Sequence, residues 1–349
     1  MCWRLTAVLI LALAGPGALG AQVGVTVLRD GSRGSELVIE FDHVLTGPSV
    51  TEATPTTGSR MSTTPSGGFV VAPLIESYAW AEFDHAGAFQ SLVGREGEGP
   101  GEFGSIDFTV PLTDSLRLVF HDSRATAVTS DGEYLRSRLF LGLPLGASPG
   151  LGQSVFVPKL RFRGGREFLS LSKFDGAGNL ESDIPLHLQD LSGLSTVAGR
   201  VAYDGMGTFY LANVYEDRIA AFDTIGGVIG EFRREPPWAL GPDEGPEGPR
   251  LPRTITQALH YQSGFLWVLS SVRADDQPWG GFDSVVTFDE RNNFVLEIID
   301  IEGKELISVE RFDSAPFHGT LGTNVFRMVE NPVTGEISFE VLAPKLTAG

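Results

Sequence analysis

Short apolar runs recur along the chain, and polar or glycine-rich positions interrupt each of them before it grows long. Residues 69–74, 78–83, 116–120, 168–174, 208–212, 219–222, 265–269, 285–288 and 294–301 are rich in Val, Ile, Phe and Tyr and are punctuated by Gly, Asp, Asn or Pro. Most have the roughly four to eight residues that strands prefer. No long stretch keeps a helical apolar period, so the pattern predicts an all-β protein.

The turns between these runs repeat. Phe83-Asp84-His85-Ala86-Gly87, Val128-Thr129-Ser130-Asp131-Gly132, Phe174-Asp175-Gly176-Ala177-Gly178, Phe222-Asp223-Thr224-Ile225-Gly226 and Ile299-Asp300-Ile301-Glu302-Gly303 share an apolar strand end, a polar or Asp position, and a glycine four residues after the apolar one. The intervals between those glycines are 45, 46, 48 and 77 residues. The long last interval is explained by insertions at 234–250 and 274–283, which predict long loops. A period of about 40–50 residues with four short strands per unit is that of a propeller blade. A hairpin of 324–329 and 336–342 gives a sixth unit, short of strands. Residues 23–28 and 36–41 are expected to complete it by pairing the chain ends, which removes exposed sheet edges. The expectation is therefore a six-bladed β-propeller at 67–345, forming one domain with 22–45. The Thr/Ser/Pro/Gly-rich stretch 46–66 reads as a loose linker.

The run Gly94-Arg95-Glu96-Gly97-Glu98-Gly99-Pro100-Gly101-Glu102-Phe103 reads as a shaped loop, because glycines supply positive φ and Pro100 fixes its own φ. Together with the Phe-Asp-x-x-Gly turns it resembles the six-bladed propellers of the NHL and TolB-like kind, often exported bacterial proteins. The resemblance covers about residues 67–342. It implies architecture more than reaction, since such proteins include binding scaffolds as well as lactonase-like and strictosidine-synthase-like hydrolases. In hydrolytic propellers of that sort, Asp, Asn and Glu on loops at one face hold calcium by hard oxygen ligation. Here that would use Asp122 and Asn213, with a carboxylate or His121 as base, at a site in the central channel.

Residues 1–21 begin with Arg4, pass through an apolar run at 5–14 and end in Ala18, Gly20 and Ala21, the layout of an export leader. That run is too short to span a bilayer, which takes about 20 residues. The only cysteine, Cys2, falls inside the leader, so the mature chain is expected to contain neither disulfide nor lipid-attachment cysteine. The net charge of −18 opposes nucleic acid and anionic membranes as partners and suits solubility after export, to the periplasm or beyond.

Few residues announce chemistry. Gly99-Pro100-Gly101-Glu102-Phe103-Gly104 spells G-x-G-x-x-G, but strand residues rather than a helix follow it, and Pro100 removes an amide. His43, His85, His121, His187, His260 and His318 show no zinc-motif spacing. No nucleophile elbow is recognised, no catalytic residue is assigned, and no cofactor is expected unless calcium binds at Asp122 and Asn213. The turn residues Asp84, Asp175 and Asp223 are expected to be structural, one per unit. Asp122 with Arg124, and Asn213 with Tyr215, follow strands at places predicted to be loops on one face. The inserted loops add Trp238, Arg273 and Trp279, with Phe282, as residue types that dominate recognition surfaces. The reading is a monomeric, exported binding scaffold for an unidentified protein, glycan or small molecule, with the metal-dependent hydrolase as its rival. N-terminal sequencing of the secreted protein should begin at Ala21 or Gln22, whereas a chain retained from Met1 in the membrane fraction would overturn the leader.

Overall fold

A computed structural model describes residues 25–30, 35–45, 55–74, 77–163, 166–187, 199–213, 218–234, 244–245, 248–249, 254–273, 292–312, 317–320, 322–330, 333 and 337–348. The leader at 1–21 and the expected strand at 285–288 lie outside them. The first strands are β1 (Val25–Val27), β2 (Arg29–Asp30) and β3 (Ser35–Leu45). Next come β4 (Pro55–Thr63), β5 (Phe69–Leu74), β6 (Trp80–Phe83) and β7 (Phe89–Val93), then β8 (Ile106–Thr113), β9 (Leu116–His121), β10 (Arg124–Thr129) and β11 (Tyr134–Leu139). After them run β12 (Leu143–Pro144), β13 (Ser148–Pro149), β14 (Val155–Arg163), β15 (Arg166–Phe174) and β16 (Leu180–Pro185), followed by β17 (Gly199–Tyr203), β18 (Phe209–Asn213), β19 (Arg218–Phe222) and β20 (Val228–Arg233). A small ribbon, β21 (Glu244–Gly245) and β22 (Gly248–Pro249), precedes β23 (Thr254–Gln262), β24 (Phe265–Arg273), β25 (Asn292–Asp300) and β26 (Glu305–Phe312). The last strands are β27 (Phe317–Thr320), β28 (Gly322–Glu330) and β29 (Ile337–Ala348).

These strands make an all-β propeller. Where the repeat predicts six blades, the structure shows five built from consecutive strands: β4–β7, β8–β11, β12–β16, β17–β20 and β23–β26. A further sheet of mixed origin has the order β27-β28-β29-β3, so one N-terminal strand pairs with the C-terminal one. Only β3 joins that sheet. The expected partner at 23–28 is instead an outer strand elsewhere: β1 lies parallel to β20, and β2 lies parallel to β26. The N-terminal chain thus covers the outer edges of two blades, blocking the unpaired N–H and C=O groups there, before β3 completes the mixed sheet.

The stretch 46–66 is likewise not all linker, since β4 pairs with β5 as the inner strand of the first blade. Its small polar residues suit that crowded position: Ser59 and Ser62 are buried, and the Ser59 hydroxyl donates to the Pro73 carbonyl.

Apolar clusters fill the space between neighbouring sheets. Phe120, Phe108 and Leu118 meet Phe140, Val157 and Phe174 between the second and third blades, and the Phe108 and Phe120 rings stack at 4.6 Å. Val341 of β29 joins Met61 and Phe69 of the first blade, while Leu342 and Leu346 pack against the fifth around Trp267 and Ile298. The mixed sheet therefore has a blade on each side. Sheets apolar on both faces are stable only when both are covered.

The repeated turns are structural, as expected. The carboxylate of Asp84 accepts from Ala86 and Ala88, that of Asp175 from Ala177 and Asn179, and that of Asp223 from Ile225 and Gly227, at 2.7–3.0 Å. In the last repeat the positive φ falls on Lys304 rather than Gly303.

A buried ion pair joins the first and second blades. Arg117 of β9 donates from Nε to Glu82 Oε1 at 2.7 Å and from Nη2 to Oε2 at 2.8 Å, and Trp80 Nε1 donates to the same carboxylate at 2.8 Å. Removing one partner strands the other charge in the interior. Glu82→Gln should therefore lower unfolding free energy by about 3–5 kcal/mol in denaturant titration. A loss under about 1 kcal/mol would mark the pair as no better than a surface one.

Candidate functional site

Strands alternate in direction within each blade, so the connections alternate between the two edges of the ring. The Asp84, Asp131, Asp175, Asp223 and Asp300 turns share one edge. The β9–β10 turn, the chain after Asn213, the chain after Arg273 and residues 94–105 leave from the other. Asp122 and Arg124 stand on that second edge. Asn213 ends β18 there, but its side chain is buried and already engaged. Arg273 ends β24, with its side chain outside the described residues, as are Tyr215, Trp238 and Trp279 altogether.

Residues 94–103 form half of a cleft on this edge. Phe103 is fully buried between the first and second blades, edge-on to Trp80 at 5.9 Å and to the His121 ring at 4.8 Å. The loop closes on itself through Phe103 N–H to the Arg95 carbonyl at 2.8 Å and Glu102 N–H to the Gly99 carbonyl at 3.0 Å. Glu102 folds back to accept from Gly99 N–H at 2.9 Å and pairs with Arg95 at 2.9 Å. The amide that a phosphate loop would offer is thus occupied by the chain's own carboxylate, in agreement with the context argument against G-x-G-x-x-G. Gly97 has φ of +150°, and a Cβ there would meet Glu102 Oε2 at 2.2 Å, so only glycine allows this fold-back.

The other half is the β9–β10 hairpin. His121 pairs with Arg124, leaving the two-residue turn Asp122-Ser123 with φ of 43° and 59°. Positive φ at both central positions suits Asp or Gly far better than Ser. The turn lifts the Asp122 carboxylate over Gly104 and beside His121, with Nδ1···Oδ2 at 3.4 Å. The His121 Nε2 lies 2.7 Å from the Thr126 hydroxyl, which donates to Ser137 at 2.9 Å.

The cleft measures about 540 Å³ and is lined by the loop glycines with Glu98, His121, Asp122, Arg124 and Tyr134. Its walls come from the loop and β9–β11, not from the innermost strand β8, so it sits off the ring centre. Burial lowers the His121 pKa, outweighing the raising effect of Asp122, so the ring is neutral at pH 7. Burial and the nearby Asp122 charge push the Asp107 carboxyl up. Arg124 makes no ion pair among the described residues.

No family model and no curated protein matches the chain. Among solved structures, it is similar to a member of the DUF4221 family from Bacteroides vulgatus, at 11% identity and a TM-score of 0.62, over 91% of this chain and 100% of that one. It is also similar to a Bacteroides fragilis protein whose description proposes that it is exported, at 9% identity and a TM-score of 0.55, over 92% and 100% of the two chains. The likeness is one of fold.

Sequence reasoning named Asp122 and Arg124 and singled out the loop, but did not join them, because their meeting in one cleft depends on how two blades pack. Tyr134 and Glu98 carried no separate signal. One motif was missed: Gly146-Ala147-Ser148-Pro149-Gly150 spells G-x-S-x-G. Its context excludes a nucleophile elbow, since Ser148 is buried in β13, accepts the Tyr203 N–H at 3.1 Å, and is followed by a turn and then β14 rather than by a helix. Asp122 and Asn213, the pair a metal would need, belong to different blades.

The strained turn gives a direct test. Ser123→Gly should raise stability by about 0.5–1 kcal/mol, the relief of positive φ less the entropy glycine adds to the unfolded chain. Denaturant unfolding that shows a loss instead would mean that Ser123 holds a contact outweighing its backbone strain.

Proposed function

We propose that the protein is an exported, monomeric six-bladed β-propeller of the NHL/TolB-like kind that acts as a binding scaffold, with its ligand held in the cleft between residues 97–104 and the β9–β10 hairpin. The mixed sheet, packed against the first and fifth blades, supports the sixth blade of this reading. The observation that carries the function is the cleft itself: it gathers a shaped loop, a strained turn and an arginine without an ion pair among the described residues, on the edge from which the long connections also leave. Strain retained at a turn beside a cleft is a mark of a functional position. The loops with Tyr215, Trp238, Arg273 and Trp279 extend the same ligand face in this reading.

A thermal melt of the leaderless protein against sugars, amines, carboxylates and Ca²⁺, Zn²⁺ and Mn²⁺ tests it. A ligand at a hundred times its Kd adds about 2.7 kcal/mol to the native state. The scaffold expects a saturable rise with a non-metal compound and hydrogen-exchange protection at 97–104 and 121–126. Protection confined to other loops would overturn the cleft, and metal-dependent turnover of lactones or esters would replace the scaffold with the hydrolase.

A further inference from the structure

The hydrogen bonds around His121 fix its tautomer. The Thr126 hydroxyl has one proton, which it gives to Ser137, so it must accept from His121 Nε2–H. The Nδ1 of the neutral ring then carries its lone pair toward Asp122 Oδ2, 3.4 Å away. Two acceptors stand side by side, with no hydrogen to share between them. His121 is more than nine-tenths buried, and leaving such an acceptor unsatisfied is unfavourable. The arrangement therefore favours a ligand that brings a donor.

The opposite requirement stands across the hairpin. Arg124 is the register partner of His121, so the two side chains share one face of the ribbon. Its guanidinium is a donor and needs an acceptor from the ligand. The third wall is Tyr134, 39% exposed, with its Cβ against Gly101. The charges nearly balance: Glu102 is paired with Arg95, leaving Glu98 and Asp122 against Arg124. A strongly cationic or anionic ligand would gain on one wall and lose on the other.

We propose that the cleft binds a neutral polyhydroxylated ligand, a sugar, with one hydroxyl donating to His121 Nδ1 and Asp122, a neighbouring hydroxyl accepting from Arg124, and the ring face resting on Tyr134. Hydroxyls are neutral groups that both donate and accept, which is what the paired walls demand. An aromatic face with one polar end suits an amphipathic ring. This inference rests on the cleft being the binding site and adds the class of ligand.

The test is titration of the leaderless protein with a broad panel of neutral mono- and oligosaccharides, by ligand-observed NMR and then calorimetry. At least one should bind with a Kd of about 1 mM or tighter. Arg124→Ala and Asp122→Asn should each weaken that sugar by about tenfold, the loss of one charged hydrogen bond. Ile225→Ser, on the opposite edge, should change nothing. Both cleft positions are exposed, and unchanged melts of the unliganded variants establish that the fold is intact. Equal sugar affinity in all variants would overturn the proposal. An amine or a divalent ion that binds instead of every sugar, and is lost in Asp122→Asn, would overturn the ligand class while leaving the cleft as a binding site. Binding of no compound at the cleft would overturn both.

Discussion

Apolar residues on both faces of the sheets are the constraint from which the rest follows. Phe120, Phe174, Phe209 and Leu266 are each essentially inaccessible, and each is covered only because a neighbouring sheet presents its own apolar face. A single blade cannot satisfy two such faces. The burial of a large apolar side chain is worth roughly 1.5–3 kcal/mol, so every uncovered face would be a heavy loss for a protein whose net stability is about 5–15 kcal/mol. The mixed sheet of β27, β28, β29 and β3 stands where the first and fifth blades need cover, and Val341 and Leu342 turn to opposite sides to supply it.

That scaffold sets which parts of the chain are free to recognise something. The Asp-Gly turns on one edge are saturated by their own backbone hydrogen bonds. The connections on the other edge include long ones, and one of them, residues 94–103, is pinned at Phe103 and shaped by Glu102 into a wall. The rigid support matters because a neutral imidazole offers a directed acceptor only if its ring is held, and here Phe103 packs against its edge while Thr126 fixes its far nitrogen.

The all-β class and the repeat were legible, because short apolar runs and Asp-x-x-Gly turns are local signals. Strands such as 69–74 and 219–222 agree closely with β5 and β19. What was not legible depended on position in the ring. β4 reads as a linker because, around the single apolar Met61, its burial is achieved by Ser59 and Ser62 near the crowded centre, where a hydrophobicity pattern is nearly silent. The partners of β1 and β2 lie about 200 residues or more away, and parallel edge pairing leaves no local mark. Of the candidate site, Asp122 and Arg124 were visible as a polar pair after a strand, whereas Tyr134 joins them only through the register of β10 with β11.

The path of the N-terminal segment has a consequence for the order of events as the chain is made. The residues synthesised early, β1 to β3, find their partners in β20, β26 and β29, which are made late. They must wait as an unpaired thread while the middle blades assemble, and β29, made after all of those blades, is the strand that finally receives β3. Completion of the fold is thereby tied to the synthesis of β29: a product truncated before it would leave the thread and the first blade's outward face bare, an exposed surface of the kind that chaperones and proteases remove.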